Sequence, residues 1–247
     1  MVITEGAITE REAILGIVGQ HPFVRHSLPR REPVRGWRRG SATCWLLPAD
    51  TPGPLGGMIG PPADAVDLFS ALAAEGVFQT GRWVHLPRLG PAALAGTPGV
   101  AGHEDWDFLW TVAPPPRQPG EERVVRLTEA DYPALTALID ESFPTSTARP
   151  GNPQVVDWYG IREGDRLIAC GADRTRGDVG FLAGLTVAPA WRGRGLGAAL
   201  TAGMSRALSA RYDVLALGVY PANVGAIRLY RRLGYLDAFA LTSVRCA

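Results

Sequence analysis

Lysine is absent from the sequence, and all 25 basic residues are arginine. A Walker-type phosphate loop needs a lysine, and so do pyridoxal enzymes and Schiff-base enzymes, so these classes are excluded. Cysteine is scarce: the three cysteines lie far apart, form no Cys-x-x-Cys pair and are odd in number. We therefore expect free thiols in a reducing compartment and no metal site. The cysteines are Cys44, Cys170 and Cys246.

Long apolar runs are missing as well. No segment approaches the roughly 18 consecutive apolar residues that a membrane helix needs. The N-terminal segment MVITEGAITEREAILG has two acids before its first arginine, which does not fit a signal peptide. A net charge of +1 gives no overall field that would attract nucleic acid or a membrane. We expect a cytoplasmic protein without nucleic-acid or membrane partners, either a monomer or a homodimer.

A proline-rich segment divides the chain. Residues 113–122 read APPPRQPGEE, and four prolines in this segment do not fit a helix interior or a central strand. We predict an extended linker there. The 247 residues are enough for two domains of roughly 100–150 residues each. The predicted domains are residues 1–112 and 123–247.

The second predicted domain alternates short strands with amphipathic helices. One predicted helix ends near Phe143, and a second has Leu196, Leu200, Met204 and Leu208 along one face. A short helix through Tyr230 ends at Gly234. The predicted strands are Arg123–Leu127, Val155–Arg162, Arg166–Asp173, Phe181–Val187, Val214–Val219 and one or two within Tyr235–Val244.

The first predicted domain has an α/β pattern without a recognisable chemical motif. Its predicted helices are Ile8–Gly19 and Asp64–Ala74, and its predicted strands are Cys44–Leu47, Trp83–Leu86 and Asp107–Val112. Six clustered arginines are compatible with an anionic partner, but we favour a solvent-exposed loop that uses arginine in place of lysine. They are Arg25, Arg30, Arg31, Arg35, Arg38 and Arg39.

A glycine-rich loop, RGRGLGA, runs from Arg192 to Ala198 between a predicted strand and a helix. The first turn of a helix has unpaired N–H groups and the positive end of the helix dipole. Glycines allow a phosphate to approach those N–H groups closely, and Arg192 and Arg194 add positive charge. The loop therefore predicts a diphosphate site.

Three other interpretations of this loop compete. Gly193-x-Gly195-x-x-Ala198 fits a relaxed dinucleotide-binding pattern, but Pro189–Arg192 separates it from its strand and too little chain follows for a doubly wound sheet. RNA-binding arginine–glycine segments are repeated, whereas this one occurs once. On the loop alone, a glycine-rich turn with solvated arginines stays open.

A second motif follows the next predicted strand. It reads Asn223-x-x-Ala226-x-x-Leu229-Tyr230-x-x-Leu233-Gly234-Tyr235. Together with Arg192-x-x-Gly195-x-Gly197, it resembles the GNAT superfamily of N-acetyltransferases, whose coenzyme A signature is Gln/Arg-x-x-Gly-x-Gly/Ala. The resemblance covers about residues 123–235, roughly half of the chain.

The resemblance implies an α/β (α+β) fold in which helices flank a central mixed, mostly antiparallel sheet. It implies acetyl-CoA, or another acyl-CoA, as co-substrate and a small-molecule or peptide amine as acceptor, with direct attack in a ternary complex. The strand at Leu185, Thr186 and Val187 would hold the pantetheine arm and diverge from Val214–Val219. The rest of the cofactor, from the pyrophosphate to the thioester, would be held at Arg192, Gly193, Arg194, Gly195, Leu196, Gly197, Ala198, Asn223, Ala226 and Tyr230.

Tyr230 is the general acid that the resemblance implies, protonating the departing thiolate. A phenol with a pKa near 10 makes that transfer nearly balanced. The competing interpretation is a core aromatic residue. The general base is open, because the central strand FLAGL has no acid; Glu141 and Asp173 are candidates, although each also fits a solvated surface acid. The missing strand acid favours a second function, a non-catalytic acyl-CoA-binding sensor or regulatory module.

The first domain also enters through the resemblance. Two-domain GNAT proteins similar to glycine N-acyltransferases carry a divergent N-terminal half with the same α/β plan. No Arg-x-x-Gly-x-Gly signature precedes Arg192. Residues 1–112 are therefore expected to be a degenerate GNAT-like half that has lost its cofactor loop and shapes the acceptor side.

Overall fold

The computed structural model describes residues 4–247, so the very start of the N-terminal segment considered above lies outside it. The strands are β1 Thr4–Ile8, β2 Arg35–Arg39, β3 Ala42–Leu46, β4 Gly56–Ile59, β5 Trp83–Pro87, β6 Val100–Thr111, β7 Val125–Leu127, β8 Asp157–Glu163, β9 Arg166–Asp173, β10 Gly180–Val187, β11 Leu215–Val219 and β12 Asp237–Cys246. The helices are α1 Arg11–Val18, α2 Pro22–Ser27, α3 Pro62–Ala74, α4 Pro91–Gly96, α5 Tyr132–Ser142, α6 Leu196–Ser209 and α7 Val224–Arg232. Among the described residues, no helix is long and apolar enough to span a bilayer.

The chain forms two compact units whose boundaries differ from the expected domains. The first unit ends at Phe108 and also takes Phe239–Ala247, whereas the second is Leu109–Ala238. The C-terminal segment joins the first unit because β12 pairs antiparallel with β5, from Leu241 opposite Pro87 to Arg245 opposite Trp83. The sequence pattern correctly predicts a strand here but does not show which strand it pairs with.

In the first unit the strand order is β1-β2-β3-β4-β5-β12-β6. The first four strands pair antiparallel, and β4 pairs in parallel with β5. Apolar side chains of α3 cover one face of this sheet. Trp45 of β3 lies on the opposite face of the sheet, where its ring contacts Phe23 of α2. The core beneath α3 includes Trp37, Met58, Leu68, Phe69, Leu72 and Leu86.

The arginine cluster of this unit lies only partly in the predicted exposed loop, at Arg30 and Arg31, while Arg25 lies in α2. Arg35–Arg39 form β2, and Trp37 at its centre is fully buried. Arg35 stacks over the Trp37 ring at 4.9 Å, so an aromatic residue organises part of the cluster. The helix predicted from Ile8 begins at Arg11, because Ile8 ends β1.

In the second unit the strand order is β11-β10-β9-β8-β7, with the end of β6 next to β11. The strands from β7 to β10 pair antiparallel, and β10 pairs in parallel with β11. Helix α6 packs on one face through Leu200, Met204 and Leu208, while α5 packs on the other through Leu135 and Ile139. The predicted mixed, mostly antiparallel sheet flanked by helices is confirmed.

The proline-rich segment is fastened to the second unit near its end. Glu121 is buried and accepts hydrogen bonds from Arg206 of α6 at 3.0 and 3.1 Å. Arg117 and the backbone N–H of Gln118 also donate to it, at 2.7 and 2.9 Å. The hydrogen bonds from Arg206 lower the pKa of Glu121 to about 2, so the anchor stays charged.

Candidate functional site

Two parallel strands of the second unit diverge at a glycine. β10 and β11 pair at three positions, from Gly180 opposite Leu215 to Leu182 opposite Leu217. A bulge between Ala183 and Thr186 then shifts the register of β10 against β9, and Gly184 within it has a φ of +59°. β10 continues to Val187, so its second half has lost its partner on the β11 side. This divergence, which the resemblance implies, leaves Leu185, Thr186 and Val187 without a strand partner on the β11 side, and we call the gap between the two strands the cleft.

The glycine-rich loop follows directly at the end of β10. A short turn, Pro189–Trp191, leads into it, and Gly195 caps α6. Gly193 and Gly195 have φ values of +75° and +79°, in the left-handed region that favours glycine. A Cβ at either position would meet no atom within 4 Å, so this face of the loop is open.

Six consecutive backbone N–H groups at this helix start have no acceptor among residues 4–247. They run from Gly193 to Ala198, and the first N–H bonded within α6 is that of Ala199, which donates to the Gly195 carbonyl at 3.0 Å. Unpaired amides and the helix dipole together favour an anion. The open surface provides room for a group as large as a diphosphate.

The two arginines of the loop have different local roles. Arg192 donates to the carbonyl oxygens of Val187 at 3.1 Å and Ser142 at 3.3 Å, so it ties the loop to β10 and α5. The Arg194 guanidinium lies over the Trp191 ring, 4.7 Å from its centre. No carboxylate in the described part of the chain forms an ion pair with either one, so both charges remain available to an anion.

Helix α7 brings the second motif against the first. Asn223 caps it by accepting a hydrogen bond from the Ala226 N–H at 3.1 Å, so its side chain is bonded to nearby backbone. A Cβ on Gly197 would lie 3.4 Å from Cδ1 of Leu229. The close approach of α6 and α7 at this point gives a physical reason for the glycine.

Tyr230 and Tyr235 are both buried, but their hydroxyl groups differ. The Tyr235 hydroxyl lies 2.7 Å from Oγ of Ser205, which donates to the Thr201 carbonyl at 2.6 Å. The Tyr230 hydroxyl has no hydrogen bond among the described residues. Burial raises the pKa of Tyr230 to about 12, so this phenol stays protonated, and it is a weaker acid than the value near 10 that we expected.

Both predicted bases form ion pairs away from α7 and the glycine-rich loop. Asp173 is fully buried, and its two oxygens accept hydrogen bonds from the Thr175 N–H at 2.9 Å and from Arg211 at 3.0 Å. Glu141 is exposed and pairs with Arg166 at 3.3 Å. Within residues 4–247 neither carboxylate forms a hydrogen bond or ion pair with α7 or with the glycine-rich loop.

Sequence reasoning missed the segment that covers the bulge. A Cβ on Gly184 would lie 2.9 Å from Cβ of Ala148 and 3.5 Å from Oγ of Ser146. These residues belong to the polar segment after α5, whose prolines and glycines indicated only a loop. No local pattern gives its contact with β10, because the contact joins residues far apart in the chain.

Comparison with known proteins agrees with this geometry. A family model described as FR47-like protein matches residues 158–244. A search of curated protein sequences finds no match. A GNAT-family protein from Novosphingobium aromaticivorans is 25% identical, with 93% of this chain and 94% of that chain covered and a TM-score of 0.55.

Two further solved structures share the fold at lower identity. A GNAT-family acetyltransferase from Colwellia psychrerythraea is 12% identical over the whole of both chains, with a TM-score of 0.54. A GCN5-related N-acetyltransferase from Sphaerobacter thermophilus is 18% identical, covers 87% of this chain and 80% of its own, and gives a TM-score of 0.51. Together these similarities support acyl transfer in general terms. The fold is that of GNAT-family acetyltransferases, and the family match is confined to residues 158–244.

Proposed function

We propose that the second unit binds an acyl-CoA, in the simplest case acetyl-CoA, and transfers the acyl group to a primary amine of a small molecule or peptide. The observation that carries this proposal is the row of six unpaired amides, Gly193 to Ala198, beside the diverging strands β10 and β11. The amides suit a pyrophosphate, and the cleft suits an extended arm that lies along β10.

In the proposed reaction, different groups of the chain bind the cofactor, orient it and supply a proton. The amides and the two loop arginines bind the pyrophosphate, and the free edge of β10 at Leu185–Val187 orients the arm. The amine nitrogen attacks the thioester carbon, the new C–N bond forms, and the C–S bond breaks. Tyr230 gives its proton to the departing sulfur, and the phenolate regains one from solvent.

The proton lost by the amine needs another acceptor. Since Asp173 and Glu141 are held in ion pairs, we propose that water takes this proton or that the amine binds in its neutral form. Under this proposal the rate depends on the fraction of neutral amine. The pH profile should then follow the pKa of the acceptor and shift when acceptors of different pKa are compared.

Gly195→Asp tests cofactor binding. Aspartate tolerates the left-handed backbone better than most residues, and a side chain here meets no neighbour, but its carboxylate would occupy the diphosphate position. We expect the thermal stabilisation by acetyl-CoA to be lost. Gly81→Asp is a matched control, because Gly81 has the same φ of +79° and equally open surroundings in the first unit. An unchanged stabilisation in Gly195→Asp would refute the loop assignment.

A non-catalytic acyl-CoA sensor is the second candidate function. One observation favours it, namely that both predicted bases are engaged in ion pairs. Release of free coenzyme A from acetyl-CoA, measured with a panel of amines, amino acids and aminoglycosides, separates the two functions. Tight binding without release on any acceptor would favour the sensor.

We propose that the first unit is a degenerate copy of the same plan. Along the chain, the order β1, α1, β2, β3, β4, α3, β5, α4, β6 is followed by β7, α5, β8, β9, β10, α6, β11, α7, β12, and only α2 is additional. The last strand of this second series, β12, pairs with β5 of the first unit. In both units the fourth and fifth of these strands pair in parallel. Structural superposition of the two units tests this proposal, and a mismatch of equivalent strands would contradict it.

A further inference from the structure

Arg174 is a partly buried cation without an acidic partner in the described part of the chain. It directly follows β9, and its backbone N–H donates to the Phe181 carbonyl at 2.9 Å. Its guanidinium donates to Oγ1 of Thr147 at 3.2 Å and to Oε1 of Gln154, both of which are neutral. A guanidinium has five N–H donors, so these two bonds leave most of its donors unused.

Three other partly buried arginines of the second unit are each paired with an acid. Arg149 pairs with Asp140, Arg162 with Asp131, and Arg206 with Glu121. Among the described residues no carboxylate lies within ion-pair distance of Arg174. Burial lowers the pKa of Arg174, which reflects the cost of holding this charge away from water. A guanidinium with unused donors and no acid beside it is suited to bind an anion from outside the chain.

The position of Arg174 links it to the cleft. Thr147, which it contacts, lies between Ser146 and Ala148, the residues that close over the bulge at Gly184. At this bulge β10 parts from β11, and here an acyl group and an amine would meet. The guanidinium therefore holds the segment that covers the reacting end of the cleft.

We propose that Arg174 binds a carboxylate of the acceptor, which makes the acceptor a small molecule with both a primary amine and a carboxylate, such as an amino acid. This inference rests on the proposed acyl transfer. A guanidinium matches a carboxylate in geometry and can donate two parallel hydrogen bonds to it. Polycationic acceptors such as polyamines and aminoglycosides are disfavoured, because the covering segment between α5 and β8 contains no acidic residue.

The test compares acceptors that differ only in the carboxylate. Glycine, alanine, β-alanine and 4-aminobutyrate are each compared with the corresponding carboxamide as acceptors of the acetyl group. Arg174→Gln should lower kcat/KM for the acids by about 30- to 100-fold and change the amides by about threefold at most. Arg174→Lys keeps the charge but loses the paired donors, so it should fall between wild type and Arg174→Gln.

Arg123→Gln is the control, because Arg123 is an exposed arginine paired with Glu163 in the same unit. It should leave both acceptor classes unchanged. Thermal denaturation, with and without acetyl-CoA, checks that Arg174→Gln is folded and still binds the cofactor. Equal losses on acids and amides would show that Arg174 only supports the covering segment, and would overturn the inference.

A binding measurement separates this inference from the proposed function. In the presence of coenzyme A, the acids should raise the melting temperature of the wild type more than the carboxamides do, and Arg174→Gln should remove the difference. This result would support the carboxylate site even if no acetyl transfer occurred, in which case the proposed catalytic function fails alone. Transfer to amines without any preference for acids would reject the carboxylate site and leave the catalytic function standing.

Discussion

Helices α3 and α6 hold the same place in the order of elements in their units. Each follows four strands and precedes the strand that pairs in parallel with the fourth. Eight residues, 188–195, join β10 to α6, whereas only two, Gly60 and Pro61, join β4 to α3. The same arrangement of strands thus leads into two very different helix starts.

The chemistry of the two starts is opposed. Six amides at the start of α6 have no acceptor within residues 4–247. At the start of α3, by contrast, the N-cap Pro61 and the first helical residue Pro62 have no N–H. Asp64 then places a carboxylate in the first turn of α3, where it accepts a hydrogen bond from the Ser41 N–H at 2.9 Å. An anion site is therefore decided by a few residues at a helix start and not by the fold around it.

Ala198→Asp would give α6 the acid that α3 carries at the same helical position, and has the largest expected effect. An aspartate in the first turn suits the helix dipole, which offsets part of the cost of a carboxylate at a position that packs against the core. It would repel a diphosphate, so we expect the dissociation constant for coenzyme A, measured by calorimetry, to rise by about 100-fold or more. Ala198→Asn controls for size. Comparable affinity in both variants would mean that the anion binds elsewhere.

The comparison extends to the next helix of each unit. α4 reads PAALAG and has no hydroxyl, whereas α7 carries Tyr230. Tyr230→Phe should lower kcat by about 100-fold with little change in cofactor affinity, because only the proton donor is lost. Tyr235→Phe loses the bond to Ser205 and should reduce stability instead of turnover. Equal turnover in Tyr230→Phe would remove the general acid from the mechanism.

The two helices are also held at different ends, α3 at its start and α6 near its end by Arg206 and Glu121. Glu121→Gln leaves Arg206 without its anion and should cost about 2 kcal/mol in the free energy of unfolding at neutral pH.

The pH dependence of that loss has a definite sign. The pKa of Glu121 in the fold, about 2, lies below its ordinary value, so the carboxylate stabilises the fold above about pH 4.5 and loses this effect as the pH falls towards 2. Urea denaturation at several pH values measures it. A stability difference between wild type and variant that does not shrink in acid would contradict the role of the charge.

Asp64→Ala has the smallest expected effect. It removes the acceptor for the Ser41 N–H and the favourable charge at the start of α3, which together stabilise by about 1 kcal/mol. Acetyl-CoA binding at α6 should not change, as judged by the ligand-induced thermal shift. Two acetyl-CoA molecules bound per chain in this variant would show that Asp64 alone prevents cofactor binding by the first unit.

Much of the second unit follows from its sequence. β9 forms at the predicted residues, Arg166–Asp173, because its apolar run lies between clear turn signals. The helix start at Leu196 also agrees, since glycines and an apolar stripe mark it. The sequence does not predict the number of free amides or the ion pairs of Asp173 and Glu141, because these depend on which residues distant in the chain come together.

The first unit was harder to predict for reasons that its residues show. β4 reads GGMI, with too few side chains for a strand pattern, and α2 and α4 have only six residues each. β2 reads RGWRR, so its charged residues hide the strand in a hydrophobicity pattern, although Trp37 is buried. Arg174 gave no signal, since the lack of an acidic partner is visible only in three dimensions.

The pairing of β12 with β5 has a consequence for the order in which the protein is made. The first unit is the first to leave the ribosome, yet its sheet lacks a strand until residues 239–247 have been synthesised. Until then β5 has unpaired N–H and C=O groups along the edge where β12 later pairs. The first unit is therefore completed only after the second unit has been synthesised. Until then the nascent chain has an unpaired strand edge with which other strands can pair.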